Sequence, residues 1–224
     1  MSTVLVVGAS RGIGLEFARQ YAADGHRVLA TFRQAEHGAR LRALGAEALE
    51  LDVLEAASRA AFVQRLAGER LDIAILAAGV YGPRTTTIEP PDPAEFDRVM
   101  RTNVLAPMAL IPALAPLLAA PGGKLAVLSS RMGSTTLMAS AYGWLYRASK
   151  AALNNALRAA SIAAAPSGLI LIAFHPGWVR TDMGGPDADL DAADSVAAMR
   201  YVLAHANSSH NGKFLNYNGE HLAW

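Results

Sequence analysis

The chain contains no cysteine among its 224 residues. Disulfides, thiolate nucleophiles and cysteine-based zinc sites are therefore excluded. Without cysteines, the sequence does not indicate whether the protein is in an oxidising or a reducing compartment. The six histidines and the scattered aspartates show no spacing such as H-x3-H, so we expect no bound metal.

Charged residues make up only 17% of the chain, hydrophobic residues 52%, and the net charge is +1. Because the basic residues form no stripe or cluster, we expect no nucleic-acid partner.

The hydrophobic runs are too short for a targeting or membrane segment. The run Val4–Val7 is shorter than the apolar part of a signal peptide and follows no positive leader. The stretch Val104–Ala120 is nearly all apolar, but it falls short of the ~20 residues of a membrane-spanning helix. It is also interrupted by Pro107, Pro112 and Pro116. We therefore predict a buried helix there, no membrane partner and a cytoplasmic location.

Short apolar runs alternate with longer helical patterns along the whole chain. The runs are rich in Val, Ile, Leu and Ala without polar alternation, which is typical of strands covered on both faces of a parallel sheet. They predict seven strands, at Thr3–Gly8, Arg27–Thr31, Ala46–Leu51, Leu71–Ala77, Lys124–Ser129, Leu169–Phe174 and Lys213–Tyr217. The alternation predicts one Rossmann-type α/β domain over residues 1–224. Its doubly wound sheet should have about seven parallel strands, flanked by helices on both faces.

Two helix starts can be read from the sequence. The first predicted helix spans Gly12–Ala23, with its apolar side chains gathered on one side. Another begins at Asp92, whose carboxylate can cap the helix, while Pro93 suits the first helical position and Glu95 completes a box-like arrangement.

A glycine-rich turn lies between the first strand and the first helix. It reads Gly8-Ala-Ser-Arg-Gly12-Ile-Gly14, a G-x3-G-x-G spacing. Glycines at such a place allow a tight turn and let the backbone approach a pyrophosphate at the positive helix N-terminus. A glycine triplet alone also fits an ordinary turn. Its position after the first strand of an α/β chain favours a dinucleotide site.

Two arginines predict which dinucleotide is bound. The second strand ends in Ala-Thr-Phe-Arg33, without the acidic residue that holds the ribose 2′-hydroxyl in NAD-specific folds. Arg33 stands there instead, and Arg11 lies within the glycine turn. Unless both are merely solvated surface residues, they can converge on a 2′-phosphate. The sequence therefore predicts NADP(H) as cofactor.

A tyrosine and a lysine four residues apart indicate proton-transfer chemistry. Tyr146 and Lys150 open a helical segment and share one face of it. A cation near the phenol favours phenolate, which lowers the tyrosine pKa. This spacing is common by chance, but Ser129 and Ser130 end the fifth strand, at the sheet edge where open α/β sheets bind ligands. Asn103 follows the helix start at Asp92.

With these motifs in order, the chain resembles the short-chain dehydrogenase/reductase family, and within it most resembles the C-factor-like branch. The resemblance covers essentially the whole sequence, because its motifs run from the glycine turn to the C-terminal part. The matching segments are Gly8–Gly14, Asp52-Val53, Ala78-Gly79, Asn103-Val104, Ser129-Ser130 with Gly133, Tyr146-x3-Lys150 and Pro176-Gly-Trp-Val-Arg-Thr181.

The resemblance implies a role for each matching residue. Tyr146 would be the acid/base that protonates a carbonyl oxygen, and Lys150 would lower its pKa and hold the nicotinamide ribose. Ser130 would orient the substrate oxygen, and Asn103 would hold a water that links Lys150 to solvent. Cofactor contacts are implied for Gly8, Ser10, Arg11, Gly12, Ile13, Gly14, Arg33, Asp52 (adenine), Val53, Ala78, Gly79, Asn103, Tyr146, Lys150, Pro176, Val179 and Thr181 (the last two to the carboxamide).

The sequence departs from the family pattern at three places. Val7 replaces the usual Thr or Ser before Gly8, which is expected to loosen a turn contact. The family's two asparagines before Ala78-Gly79 are absent. The insert Ser134–Ser140 widens the serine–tyrosine spacing, so it leaves Ser129 and Ser130 as alternatives and makes Tyr142 a competitor of Tyr146. Only Tyr146 has a lysine four residues later.

The favoured hypothesis is an NADP(H)-dependent enzyme that interconverts a carbonyl and an alcohol. Two alternatives are a nucleotide-binding regulatory or signalling protein on the same scaffold, and a structural Rossmann domain without cofactor. The substrate would be a small molecule, in a pocket expected to be apolar from Trp144, Leu145, Met138, Trp178 and Met183. Apolar helix faces and the family resemblance predict a homodimer or homotetramer.

Overall fold

Seven parallel strands form a single sheet in the computed structural model, which describes residues 1–224. The spatial order is β3-β2-β1-β4-β5-β6-β7, and every neighbouring pair is parallel. The prediction of a doubly wound sheet of about seven parallel strands is confirmed. The strands are β1 (Thr3–Val7), β2 (Arg27–Phe32), β3 (Glu47–Glu50), β4 (Ile73–Leu76), β5 (Lys124–Leu128), β6 (Ile170–His175) and β7 (Lys213–Asn216).

Seven α-helices connect the strands and cover the sheet. The predicted first helix begins and ends where it was expected. The helices are α1 (Gly12–Ala23), α2 (Ala35–Ala43), α3 (Ala56–Arg65), α4 (Pro93–Met100), α5 (Ala106–Leu114), α6 (Trp144–Ala164) and α7 (Ala192–His205).

Two hydrophobic clusters lie on opposite faces of the sheet. Strand side chains alternate between them: Val4 and Val6 of β1 belong to one cluster, Leu5 and Val7 to the other. The first cluster contains side chains of α1, α2 and α7, and the second contains side chains of α3, α5 and α6. Burial on both faces explains why the strand sequences are continuously apolar.

The strand order reverses between β1 and β4. From β1 the chain runs outward through β2 to β3, then returns to place β4 on the other side of β1. In open α/β sheets, ligands bind in the crevice at such a switch point, beyond the carboxyl ends of the strands. The glycine turn follows β1, and the Ala78-Gly79 segment follows β4. These two segments therefore lie at the predicted binding edge.

The apolar stretch before β5 continues a helix that begins at α4. Asp92 caps α4 by accepting bonds from Ala94 and Glu95 N–H, as predicted, but the Glu95 carboxylate pairs with Arg98 and does not complete a capping box. The i,i+3 arginine offers a charged partner, which outcompetes a backbone amide.

This helical stretch, Pro93–Leu117, is long and apolar enough to cross a membrane by length and composition, but the core helix of a soluble protein meets the same criteria. Here Leu110 and Leu114 are buried in the core cluster that contains α3 and α6.

Candidate active site

The glycine turn is built so that only glycine fits at two of its positions. Gly8 has φ +85°, and a Cβ there would lie 2.6 Å from the backbone N of Ala78. A Cβ on Gly14 would lie 2.1 Å from the carbonyl oxygen of Gly8. The backbone is thus tightly folded, and no side chain caps the N-terminus of α1. This leaves α1 N–H groups available to an anion.

Val7 does not leave the turn unsupported. The N–H of Gly8 donates to the Oγ1 of Thr31 on β2, at 2.9 Å. A hydroxyl from the neighbouring strand therefore anchors the turn, although the chain lacks Thr or Ser at position 7. No local pattern could reveal this bond, because it depends on the register between β1 and β2.

The loop after β6 meets the glycine turn. A Cβ on Gly12 would lie 3.4 Å from the Cγ2 of Thr181, so the two segments are in contact. Thr181 is held by its own loop, since its Oγ1 accepts a bond from the Gly184 N–H.

The Pro176 carbonyl accepts a 2.6 Å bond from Ser195, and Val179 is buried. Ser10 and Ile13 lie in the turn itself and are partly buried.

Arg11 and Arg33 have different surroundings. Arg11 Nη1 forms an exposed ion pair with Asp182, at 3.0 Å, in the loop after β6. Arg33 follows β2, is exposed and forms no ion pair. The Arg11 guanidinium is therefore paired with a carboxylate, whereas the Arg33 guanidinium has no carboxylate partner.

Asp52 and Val53 follow β3 along the same edge. One carboxylate oxygen of Asp52 accepts a bond from the Leu54 N–H and so stabilises the turn in which Asp52 lies. Val53 is partly buried and packs against the core. Both residues thus occupy the edge at which an adenine contact was expected.

Asn103 lies in one turn of π-helix, Arg101–Leu105, between α4 and α5. Its Oδ1 accepts from the Val80 N–H, while its Nδ2 donates to the Val80 carbonyl and to Ser149 Oγ. It therefore fastens the loop after β4, which begins Ala77-Ala78-Gly79, to helix α6. A Cβ on Gly79 would lie 3.4 Å from Asn103 Oδ1 and 3.5 Å from Lys150 Nζ, so all three residues meet.

The two serines after β5 point to different partners. Ser129 is buried, and its hydroxyl donates to Asn154 Oδ1 of α6 at 2.5 Å. The Ser130 hydroxyl accepts from the Met132 N–H and also lies close enough to the Tyr146 phenol to oppose a rise in the phenol pKa. Of the two alternatives, Ser130 is the serine beside Tyr146.

Tyr146 and Lys150 are both buried on α6. Burial raises the pKa of Tyr146 above its usual value, and the Ser130 hydroxyl opposes this only in part. Burial lowers the pKa of Lys150 to about 8. Lys150 Nζ donates to the Leu128 carbonyl at 2.8 Å and lies 5.6 Å from the centre of the Tyr146 ring. The prediction that lysine lowers the phenol pKa is therefore wrong for this structure: burial raises the Tyr146 pKa, and the group that opposes the rise is the Ser130 hydroxyl.

Tyr81 is a site residue that the sequence patterns missed. Its ring stacks on Tyr146 with centres 4.3 Å apart and planes 14° apart. Tyr142, the competitor for Tyr146, is tilted against Tyr81 at 6.3 Å. Gly143 permits this arrangement, because a Cβ there would lie 2.6 Å from the Tyr81 hydroxyl. The sequence feature that could have indicated this packing is the glycine directly before the helix that carries Tyr146.

The insert before α6 is held by the end of the chain. Ser134 Oγ donates to the Ala223 carbonyl at 2.7 Å, and the Thr136 N–H donates to the Trp224 carbonyl at 3.1 Å. Trp224 in turn stacks on Phe214 of β7, with ring centres 5.4 Å apart. The insert is therefore tied to β7 through the last residues of the chain.

The residues proposed as a pocket wall divide into two groups. Met138, Trp178 and Met183 are exposed, whereas Leu145 is buried and Trp144 is partly buried. No cluster of three or more His, Asp or Glu side chains is arranged to hold a metal ion.

A sequence model of the family described as short chain dehydrogenase matches residues 2–190. The chain belongs to the short chain dehydrogenase family, whose members are oxidoreductases. Among curated proteins, C-signal of Myxococcus xanthus is 38% identical over 165 residues, covering 73% of this chain and 99% of that protein. This similarity confirms the resemblance to the C-factor-like branch.

Solved structures resemble this short chain dehydrogenase over its full length. A carbonyl reductase from Pseudomonas aeruginosa PAO1 in complex with NADP has a TM-score of 0.89 and 34% identity, and the match covers 100% of both chains. An NADPH-bound carbonyl reductase from chicken fatty liver has a TM-score of 0.89 and 31% identity, covering 100% of this chain and 99% of that one.

Proposed function

We propose that this chain is an NADP(H)-dependent carbonyl reductase or alcohol dehydrogenase. The observation that carries the proposal is the meeting of Ser130, Tyr146, Lys150 and Asn103 beside the glycine turn, at the carboxyl edge of one sheet. The carbonyl reductases similar to this chain that were solved with NADP or NADPH support the choice of cofactor.

The site fits a dinucleotide phosphate. The glycine turn leaves no room for a Cβ at Gly8 or Gly14, and α1 begins without a side-chain cap. Both features suit a pyrophosphate at a helix N-terminus. Arg33, which has no carboxylate partner, would bind the 2′-phosphate, and Lys150 the nicotinamide ribose. When bound, NADPH supplies the reducing equivalent of the reaction.

The protein itself would supply position and one proton. The Ser130 hydroxyl would hold the substrate carbonyl oxygen next to the Tyr146 phenol, which would donate its proton to that oxygen as the alcohol forms. The raised pKa of Tyr146 keeps the phenol protonated and ready to donate. Lys150, held by the Leu128 carbonyl, would stabilise the phenolate that remains. Asn103 is bonded to Val80 and to Ser149, and would hold the loop after β4 against α6.

A signalling protein that binds nucleotide without turnover is the second candidate. The observation that favours it is the 38% identity to a protein named C-signal. A protein that only bound nucleotide would have no need of Ser130 and Tyr146 at one site, so we favour the enzyme.

A steady-state screen tests the choice between enzyme and signalling protein. Purified protein would be supplied with aldehydes, ketones and alcohols and with both nicotinamides, while NADPH absorbance is followed. Tight NADPH binding without turnover of any carbonyl compound would reject the enzyme and support the signalling protein.

We also propose that the chain forms a homodimer or homotetramer. Apolar side chains are exposed on the helices around α5 and α6: Leu105 is 44% exposed, Met108 53% and Ile162 63%. Pairing of such faces between copies would remove them from water. A monomer mass by light scattering at micromolar concentration would reject this assembly.

A further inference from the structure

A guanidinium group lies one aromatic ring away from Tyr146. The Cζ of Arg84 is 4.5 Å from the centre of the Tyr81 ring, whose centre is 4.3 Å from that of Tyr146. The cation can lie no farther from the Tyr146 ring than these two lengths combined. A substrate held at both groups must therefore extend past the Tyr81 ring, from the Tyr146 hydroxyl to this cation.

Arg84 connects two loops at the carboxyl edge of the sheet. It belongs to the loop after β4, is exposed, and its Nη2 donates to the carbonyl oxygen of Met183 in the loop after β6. The same loop is tied to the start of α6, because the Gly143 N–H donates to the Thr85 carbonyl at 2.9 Å. The guanidinium therefore lies where the loop after β4 contacts both the loop after β6 and the start of α6.

No carboxylate neutralises this cation. Arg84 forms none of the ion pairs in the structure. From Arg98 to Thr181, a segment that includes β5, the insert and α6, the sequence contains no Asp or Glu. Asp182, which follows this segment, is paired with Arg11. Glu89, in the same loop, accepts a bond from Thr87 and forms no ion pair with Arg84. A ligand anion would give the guanidinium a charge-assisted bond, the stronger class of hydrogen bond.

We propose that the substrate carries an anionic group such as a carboxylate, and that Arg84 binds this group while the carbonyl oxygen lies at Tyr146 and Ser130. The inference rests on the proposed carbonyl reductase function and makes Arg84 a specificity-determining residue. Its bond to Met183 uses one N–H group, and a guanidinium has five, so donors remain for an anion.

Arg131 is the rival for the same role. It also forms no ion pair and lies directly after Ser130, but it lines a different cavity of about 500 Å³ with His175, Glu220 and His221. The Glu220 carboxylate would repel a substrate anion there. Burial and the nearby Arg131 charge lower the pKa of His175 to about 4, so His175 adds no positive charge to that cavity at neutral pH. The structure therefore favours Arg84.

The test compares two ketones that differ in charge. Binding of 4-acetylbenzoate and of its neutral methyl ester to the protein saturated with NADP⁺ is measured by calorimetry, because the oxidised cofactor cannot reduce a ketone. We expect the parent to bind the anion about tenfold more tightly, the lower end for a charge-assisted bond at an exposed site. Arg84→Gln should abolish this preference, because it should weaken the binding of the anion and leave the binding of the ester unchanged. Added salt should reduce it in the parent, since exposed charges are screened.

Two control variants make the test specific. Arg70→Gln removes another exposed arginine without an ion pair, just before β4 at the opposite edge of the sheet, and should keep the preference. Arg131→Gln should keep it too. Equal affinities in the parent, a preference that survives Arg84→Gln, or a preference lost in Arg131→Gln instead would overturn the inference. Equal weakening of acid and ester by Arg84→Gln would also overturn it, because it would show that Arg84 only holds the loop.

The same ketones separate this inference from the proposed function. Reduction of either ketone is measured independently with NADPH. An Arg84-dependent preference in binding, without reduction of any carbonyl compound, would reject the enzyme and retain the anion site. Reduction of both ketones without a preference would retain the enzyme and reject the anion site.

Discussion

Tyr81 lies face to face with Tyr146, with ring centres 4.3 Å apart and ring planes within 14° of each other. The stack helps to keep the Tyr146 side chain only 7% exposed. The pKa of Tyr81 is itself raised, first by burial, so its ring is neutral beside the phenol at physiological pH. Tyr81 thus positions the proposed general acid and shields it from water.

The stack predicts that Tyr81→Ala lowers turnover by roughly ten- to a hundredfold, because a misplaced reacting group is costly even when the error is small. Loss of shielding should also move the pH profile of kcat, since the Tyr146 pKa would fall toward its usual value. Tyr81→Phe keeps the ring and should stay close to the parent in both respects. Tyr142→Ala is the control, as Tyr142 does not stack on Tyr146. An unchanged pH profile in Tyr81→Ala would show that the stack is only structural.

Tyr146→Phe removes one oxygen and leaves the helix nearly unchanged. If Tyr146 donates the proton, turnover should fall by about 10²–10⁴-fold, the usual range for loss of a general acid. NADPH affinity should stay within a few-fold, because the glycine turn and Arg33 are untouched. Lys150→Ala should impair both turnover and NADPH binding. A Tyr146→Phe protein with the parental rate on a good substrate would refute the assignment, and Tyr142 would become the first alternative.

The two serines after β5 should respond differently to alanine. Ser130→Ala removes the hydroxyl beside Tyr146 and should lower kcat. Ser129→Ala removes a buried bond to Asn154, which should lower the free energy of unfolding by about 1 kcal/mol and change kcat much less. Steady-state kinetics and thermal unfolding of both variants check this. If Ser129→Ala lost turnover while remaining folded, the assignment of the two serines would be reversed.

Arg33 should decide the cofactor preference. We predict that the parent binds NADPH more tightly than NADH. Arg33→Asp should narrow or reverse this difference in affinity. The ratio of the two affinities should change by about ten- to a hundredfold, as expected for the loss of one charge-assisted bond. Asp182→Asn would free Arg11 from its ion pair and should tighten NADPH binding by a small factor, since exposed pairs are weak. Fluorescence titrations with both cofactors measure these effects. Equal dissociation constants in the parent would contradict the prediction.

Lys150 predicts a pH-dependent change in stability. Its folded-state pKa of about 8 lies below the usual lysine value of 10.5. Between these pH values the unfolded chain binds more protons at Lys150 than the folded chain does, so this group makes the free energy of unfolding rise with pH. The stability of the parent relative to Lys150→Met should therefore increase as the pH is raised through 8 toward 10. Denaturant unfolding at several pH values checks this, and a constant difference would show that Lys150 titrates normally.

Local patterns were sufficient to predict the seven strands, helix α1, the glycine turn and the family, because each depends on residues that are close in sequence. Continuous apolar runs specify strands buried on both faces, and the steric demands of Gly8 and Gly14 arise within one turn. The family resemblance was enough to predict that Tyr146 and Lys150 share a site with one of the two serines after β5.

Contacts between distant segments were decided only by the tertiary structure. Thr31 supports Gly8 because β2 pairs with β1 in one register. Arg11 meets Asp182, 171 residues away, because the loop after β6 folds back over the glycine turn. The stack of Tyr81 on Tyr146, like the choice between Ser129 and Ser130, depends on how loops cross the carboxyl edge of the sheet. Hydrophobic periodicity describes which face of an element is buried, but it carries no information on the path of a loop or on the partner that its side chains meet.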